Sequence, residues 1–517
     1  MNAPKTHRRV RWWNYAAYGM TDWLGAGSTA LTGAWLLFFY TTFCGLTATE
    51  GSLIFAISRF VDAITSPLMG MISDNFYKTK IGKRFGRRKF FIMIGIPFML
   101  AYILMWISGM NFWYYLVTYV GFDIIYTMVL VPYETLATEM TNDFKQRTIF
   151  SGARLFCGQI SAFFSAFVPG RLIAVLGKDN PKSFLYAAMM FTAAFIIILI
   201  FLYFFTWERP LSEIVDDEVD NPDEDKLSIG KKFEQIYIDL LSTFKIKAFR
   251  THILMYLGCY ISQDIFSQVY TYFVVFALGF TTVVASNVLS VIWGACIVGV
   301  VLGIVAVTRA NRQAGTYRIA VLGFAVGTIG FVIAYFSNSK MVMTILIISA
   351  IVSGLGRGAL AYIPWNIYSF IPDVDEIVTG QRREGIFAGV MTFTRKATQA
   401  LAVFLVGVFL DGSGFKPSSQ TQSIGVVHTL VIMLAVGTLA FLLMGYIASF
   451  KFKLTKDKHE VLLNEVEDLR NGKKPENISD ENAALIQDLS GFDKHSLWGN
   501  NKVGHVDLMR WKKEHGE

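Results

Sequence analysis

Apolar positions along this chain gather into long runs broken by short polar segments, with neither the alternation of a strand nor the narrow stripe of a surface helix. Twelve runs lie near residues 13–40, 50–72, 90–109, 112–137, 150–177, 184–206, 249–277, 283–308, 316–336, 341–370, 384–410 and 424–450. A run of about 20 residues spans a hydrocarbon core of about 30 Å as a helix. The pattern predicts an all-α membrane protein with twelve transmembrane helices. The first run follows Lys5, Arg8, Arg9 and Arg11 as a signal peptide would, but it is too long for an h-region and lacks a cleavage site, so a retained helix is expected.

Composition agrees: 53% of the 517 residues are hydrophobic, 17% are charged, and the mean hydropathy is +0.44. The net charge of +8 is unevenly placed, with seven basic residues against one acid in SDNFYKTKIGKRFGRRK between the second and third runs. The loops after runs 1, 3, 7 and 9 are almost free of them. This bias puts both termini in the cytoplasm of a cell whose cytoplasmic (inner) membrane the protein crosses repeatedly. It explains the charge without nucleic-acid binding, for which no soluble basic module is visible. Cys44, Cys157, Cys259 and Cys296 lie in apolar runs without metal-ligand spacing and read as small core residues.

The organisation expected is a cytoplasmic N-terminus (1–12), a six-helix half (13–206), a cytoplasmic linker (207–248), a second six-helix half (249–450) and a cytoplasmic tail (451–517). The linker is acidic at 213–225, with a short amphipathic surface helix expected at 231–244. In the tail, 456–470 reads as a short helix. WGNNKVGHVDLMRW fits either a segment packed on the cytoplasmic face or a flexible end. The halves look related: VPYETLATEMTNDFKQRT and IPWNIYSFIPDVDEIVTGQRRE each place a Pro-aromatic pair before acids and then arginine. A pseudo-symmetric pair of halves with a site between them near the midplane is the plan of many secondary transporters.

Charges inside membrane helices cost about 2.5–3.5 kcal/mol each by insertion scales and mark candidate sites. Asp22, Arg59, Asp62, Asp123, Glu134, Arg154, Asp264, Arg357, Arg395 and Lys396 all fall in the runs. Arg59 and Asp62 are one helical turn apart, so a simple ion pair is one reading. Ser66 and Pro67 follow, and a carboxylate, a hydroxyl and a loosened backbone also suit a monovalent cation. Lys396, too far from either helix end to snorkel, has Asp62 as its natural partner and would compete with a cation for it. Trp365, on the same run as Arg357, is a candidate for stacking on a sugar ring. No nucleophilic constellation is present, and no enzyme is expected.

With these residues in view, the chain resembles the glycoside-pentoside-hexuronide:cation symporter family, a branch of the major facilitator superfamily that includes the melibiose permease. The resemblance covers about residues 12–450. It rests on RFVDAITSPLMG (59–70), GMISDNFYKTKIGKRFGRRK, VPYETLATEMTNDFKQRT and GQRREGIFAGVMTFTRKATQA, in that order. It implies the major facilitator fold, a cation or coupling site at Asp62 and Thr127 with Lys396 close by, and sugar hydroxyls held by Asp22 and Arg154. Asp74, Arg87 and Arg88 of the basic loop would hold a cytoplasmic gate. Two departures matter. Ser66 replaces a second cation-site aspartate, which favours a proton over sodium as the coupled ion. Leu130 and Glu134 replace an aspartate and a tryptophan that hold a galactosyl group. Glu134 is open to three roles: hydroxyl acceptor, proton carrier, or partner of Arg154.

The resemblance implies import of a glycoside or small oligosaccharide, with an oligouronide such as an oligogalacturonide as one candidate. Arg154, Arg357, Arg395 and Lys396 are the cations available to a carboxylate. No cofactor is expected beyond the co-transported proton or sodium, and a monomer in the bilayer suffices. Two alternatives remain: a lysolipid or other non-sugar transporter of the same superfamily, and a non-transporting sugar sensor that signals through the tail.

Overall fold

In a computed structural model of the chain, residues 8–141, 144–177, 180–209, 238, 240–310, 313–337, 340–381, 383–416, 419, 421–501 and 503 are described. Among them the regular structure is helical, with no strand. The spanning elements are α1 (12–43), α2 (Ala48–Asn75), α3 (Lys89–Leu104), α4 (Phe112–Met140), α5 (Phe144–Leu176), α6 (Lys182–Phe205), α7 (247–277), α8 (Thr282–Ala310), α9 (Gln313–Phe336), α10 (Val342–Tyr368), α11 (Glu384–Gly412) and α12 (Ile424–Lys451). Nine helices among the described residues are long and apolar enough to cross a membrane. The other three spans have visible reasons to fall short. In α1 a turn at Thr21 ends the first helical segment at Met20, with Asp22 next; α3 loosens after Pro97; and α7 carries Lys247, Arg250, Gln263 and Asp264. Phe60, Val175, Phe204, Ile319 and Phe336 stand on the outer surface, as side chains in contact with lipid do. All four cysteines are free.

The internal duplication is written in the packing. α2 lies on α4 as α8 lies on α10; α1 on α5 as α7 on α11; α3 on α6 as α9 on α12; and α1 on α6 as α7 on α12. Across the seam between the halves, α2 packs on α11 and α5 on α8, two contacts that a shift of six helices exchanges, while α1 meets α7. At the end away from the basic 76–88 loop this seam is tight. A Cβ on Gly407 would lie 2.0 Å from Ser52 Oγ, and one on Gly170 would lie 1.9 Å from Ser286 Oγ, so glycine is what lets these backbones meet. Asp411 of α11 accepts the amides of Ala48 (3.0 Å) and Thr49 (2.6 Å), capping the first turn of α2 from the other half. Toward the basic loop, Gly70, Gly152 and Gly385 on α2, α5 and α11 have no described atom within 4 Å of where a Cβ would stand.

The tail is folded as far as Val503. Helices Lys456–Arg470 and Asp480–Ser490 pack against Ile371–Thr379, a helix buried along its whole length. The amides of Trp498 and Gly499 donate to the carbonyls of Ile377 and Val378, each at 2.9 Å. Arg470 Nε donates to Glu376 (2.8 Å), and His459 Nε2 lies 2.8 Å from Asp373 Oδ2. Asp488 binds Lys453 (2.8 Å) and Lys247 (3.1 Å), and both lysine contacts hold its carboxyl below the usual carboxylate range, the hydrogen bond from Lys453 most strongly. Of the two alternatives for WGNNKVGHVDLMRW, the described part is docked; residues 504–517 lie outside the described residues. The expected surface helix at 231–244 also lies largely outside them.

Candidate functional site

Three polar clusters sit within the bundle. The first answers why Arg59 and Asp62 share a face of α2. Arg59 Nη1 lies 3.6 Å from Asp62 Oδ2 and 3.7 Å from Asp123 Oδ1, and its Nη2 donates to Tyr119 (3.2 Å). Arg59 is thus shared between two acids and is not the private partner of Asp62. Asp62 Oδ1 accepts the hydroxyls of Thr127 (2.6 Å) and Ser66 (3.0 Å), while Oδ2 faces Lys396 Nζ at 2.7 Å. Lys396 also donates to Ser66 Oγ at 2.7 Å. The ammonium therefore sits against two of the oxygen ligands a small cation would use. The donor set is one carboxylate and two hydroxyls, with two basic side chains and two acids balancing within the cluster. Asp62, Ser66, Thr127 and Lys396, singled out in the sequence, are brought together; Asp123 and Ser58, which donates to it at 2.6 Å, join them.

In the second cluster, Arg154 Nε donates to Asp22 Oδ1 (3.1 Å) and Nη2 to Glu134 Oε1 (2.7 Å), so pairing is the role of Glu134 in this conformation. The guanidinium carbon lies 5.6 Å from the Tyr133 ring centroid. Asp22 follows the first segment of α1, just before a π-helical turn, and glycines make room for its carboxylate. A Cβ on Gly158 would lie 2.2 Å from Oδ2, and one on Gly25 would lie 2.6 Å from Oδ1. Half the Glu134 side chain remains exposed, so the cluster is open to a ligand. A carboxylate, a guanidinium and an aromatic face are the usual partners of a sugar ring, taking its hydroxyls and its apolar C–H face.

The third cluster lies in the second half. Arg395 of α11 makes a bidentate pair with Asp264 of α7 (2.5 and 2.8 Å), and Gln399 Nε2 donates to Asp264 Oδ1 at 3.3 Å. Trp365 Nε1 donates to Tyr260 (3.0 Å), whose ring lies under the Arg395 guanidinium at 4.9 Å. Arg357 is not part of it. Two helical turns from Trp365, about 12 Å along the axis, it is only 3% exposed. It is enclosed by Phe266, Trp293 and Phe324 and donates to Ser267 (3.1 Å). In this conformation it holds an interior position among aromatic rings, away from the Trp365 indole with which the sequence grouped it. Arg395 is likewise occupied by Asp264, so it is no free clamp for a substrate carboxylate.

Of the expected gate, Arg87 Nη2 (2.5 Å) and Arg88 Nε (2.6 Å) reach Glu139 Oε1 at the end of α4, in the same half. The side chain of Asp74 lies outside the described ones. Glu208 accepts the Arg88 amide (2.8 Å); burial raises its carboxyl above the usual range, against that hydrogen bond, which lowers it. Gly86 (φ 91°) passes so close that a Cβ would lie 1.7 Å from Glu208 Oε1. Glu139 and Glu208 were not singled out in the sequence, and Asp264 and Arg395, named there separately as intramembrane charges, were not matched as a pair. For the last, the signal was in the chain: Tyr-x-x-x-Asp occurs at Tyr18–Asp22 and again at Tyr260–Asp264.

Comparison with known proteins bears on what these clusters serve. The uncharacterized symporter YjmB of Bacillus subtilis is 25% identical over 476 residues, covering 89% of this chain and 96% of its own. The glucuronide carrier protein homolog of Escherichia coli is 22% identical over 477 residues (89% and 96%), and the isoprimeverose transporter of Lactiplantibacillus pentosus 24% over 415 (78% and 81%). In fold, the chain is similar to the nucleoside transporter NupG (TM-score 0.56, 14% identity, 84% of this chain and 100% of that one). It is also similar to a bacterial homolog of the lysosomal transporter Spinster in an inward-facing, unoccupied conformation (TM-score 0.56, 13% identity, 87% and 100%). The family model for MFS/sugar transport proteins matches residues 17–456. Twelve helices in two repeated halves, a charged cluster in each half and one across their seam, and a family match over most of the length agree: the chain belongs to the MFS/sugar transport family, in its glycoside-pentoside-hexuronide:cation symporter branch, and is a transporter and no enzyme.

Proposed function

We propose that the protein imports a glycoside or small oligosaccharide across the bacterial cytoplasmic membrane together with a cation, the proton being preferred. The single observation that carries this reading is the Asp62 carboxylate, held by Ser66, Thr127 and Lys396 where α2 and α11 meet across the seam. A proton on Asp62 removes the charge that holds Lys396, so one binding event loosens a tie between the halves. Differential affinity of this kind is what lets a cation shift a conformational equilibrium. A site with one carboxylate, and a lysine already against it, offers sodium few ligands. The basic loop supports an orientation with the 76–88 end and both termini on the cytoplasmic side. Close packing at the other end and the clearance around Gly70, Gly152 and Gly385 support a cytoplasm-facing state.

Asp22, Arg154 and Glu134 take the sugar hydroxyls in this reading, and the names of two relatives, a glucuronide carrier homolog and an isoprimeverose transporter, support a sugar derivative as cargo. Arg154 and Arg395 are both held by acids and Lys396 by Asp62 and Ser66. A proton on Asp62 would release Lys396, which makes it the partner for an acidic sugar in this reading. The test is external pH in de-energised cells in sodium-free buffer as neutral glycosides and oligouronides are added in turn. Alkalinisation with one class supports proton symport and names the chemistry; uptake only after sodium is restored overturns the proton assignment.

A further inference from the structure

The second and third clusters are built to one plan. In each half, the first helix carries Tyr-x-x-x-Asp (Tyr18–Asp22, Tyr260–Asp264), the fourth carries a Pro-aromatic pair (Tyr133, Trp365), and the fifth carries the arginine that binds the aspartate (Arg154, Arg395). The aromatic contacts repeat too: Tyr133 meets Tyr18 with ring centroids 4.7 Å apart, and Trp365 donates to Tyr260. The residue four beyond the arginine is Gly158 in one half, clearing space for Asp22, and Gln399 in the other, donating to Asp264. Glu134 of the first half is replaced by Asn366 in the second, which turns to Tyr362 (3.1 Å) instead.

We propose that Asp264, Arg395 and Gln399, with Trp365 and Tyr260, form a second carbohydrate subsite, which takes the second sugar ring of a two-ring substrate while Asp22 and Arg154 hold the first. The proposal rests on the sugar-transport reading above and extends it to substrate length. A purely structural ion pair would be expected to spend its donors. Arg395 gives two of its five N–H groups to Asp264, and among the described residues the other three have no protein acceptor. The pair is not sealed: the Arg395 side chain is 19% exposed and Trp365 is 39% exposed. Edge contacts with Tyr256 and Tyr368 (5.8 and 5.9 Å) fix the indole, as an aromatic platform for a sugar's C–H face requires. Position supports it as well, because Lys396, the residue after Arg395, reaches across the seam to Asp62 and Ser66. The subsite therefore stands on α11, the helix that packs on α2 across the seam. A carboxylate acceptor, an amide and a guanidinium donor, and a ring face together recognise vicinal hydroxyls of a neutral or acidic pyranose.

The test is equilibrium binding to the full-length protein in nanodiscs with three matched pairs of one-ring and two-ring ligands: galacturonate and digalacturonate, glucose and cellobiose, xylose and xylobiose. The wild type is expected to bind the two-ring member of at least one pair more tightly. Asp264→Asn and Gln399→Ala are expected to weaken that member at least tenfold more than its one-ring partner; Arg154→Gln weakens both alike. Gln399→Ala leaves the ion pair in place and so keeps the test valid if Asp264→Asn folds poorly. Equal losses on both ligands in Gln399→Ala, or no two-ring preference in the wild type for any pair, overturn the subsite. If Arg154→Gln changes neither ligand while the length-selective loss persists, the subsite stands and the assignment of the first ring falls. Binding of none of the six overturns both.

Discussion

Lys396 Nζ lies 2.7 Å from Asp62 Oδ2, a bond between α11 and α2 that joins the two halves at the depth where Ser66 and Thr127 also turn toward the same carboxylate. In the proposed function this one side chain both takes the coupled proton and fastens the halves together. Its dual use is the physical basis of coupling in the proposed cycle.

Asp62→Asn removes the ionisable group and keeps its size. Gradient-driven accumulation is expected to disappear while downhill exchange of the same sugar persists, measured with radiolabelled substrate in energised and de-energised vesicles. Accumulation at the wild-type level would exclude Asp62 as the coupling group.

Arg154→Ala deletes charged hydrogen bonds to Asp22 and Glu134 and leaves two acids facing each other across the vacancy. Hydrogen bonds to charged groups contribute about 1.5–3 kcal/mol each. Sugar affinity is expected to fall by roughly tenfold to a hundredfold for the loss of one such bond, and isothermal calorimetry with the transported sugar reads it directly. Unchanged affinity would remove Arg154 from the site.

Gly158→Ala would place a methyl group 2.2 Å from Asp22 Oδ2, so the carboxylate must turn away from Arg154. The expected result is a protein that inserts and folds but loses most sugar affinity, with Gly152→Ala, where the space is open, as the silent control. Equal behaviour of the two variants would show that the position of Asp22 is not set by this contact.

Leu497 is fully buried and precedes Trp498, whose amide donates to Ile377 of the 371–379 helix. Leu497→Ala is expected to cost about 2–5 kcal/mol of docking. Limited proteolysis should then cut within residues 456–503 while sugar uptake continues, since among the described residues the tail makes no hydrogen bond or ion pair to the three clusters. Loss of uptake with an intact membrane portion would instead give the tail a role in transport.

Asp488 supplies a pH dependence with a definite sign. Lys453 and Lys247 lower its carboxyl when the tail is docked, so the undocked form binds the proton more readily. The contribution is whole at pH values above the ordinary aspartate range of about 3.9 and is lost as pH falls through the docked-state value. Tail cleavage by an acid-tolerant protease should rise on acidification, and Asp488→Asn should show part of that rise already at neutral pH. A pH-independent cleavage pattern would exclude this ion cluster as a staple.

How much was legible in the sequence depended on how local the signal was. Asp62 and Ser66 were found because a carboxylate in a membrane helix is costly wherever it lies, and because the motif around Arg59 to Gly70 is contiguous; Thr127 came with the family resemblance alone. Lys396 could be matched to Asp62 by elimination, a mid-membrane lysine needing an acid. Arg357 misled for the same reason: its charge announced a function, but the chain does not say which way a side chain eight residues from Trp365 will face, and it faces three aromatic rings. The Asp264–Arg395 pair spans 131 residues, and only the repeated Tyr-x-x-x-Asp hinted at it.

By itself, the sequence determined what one dimension can carry: twelve apolar lengths matched to a bilayer, a basic loop that favours one side of it, and charges too costly to be there without a use. Only the tertiary structure decided which charges meet. It joined Asp62 to Lys396 across the seam, gave Glu134 to Arg154, withdrew Arg357 into the interior and docked the tail on the 371–379 helix. The reason is physical. Burial of an apolar run depends on its own composition, whereas an ion pair depends on two helices arriving at the same depth and rotation, which the packing of the other ten sets.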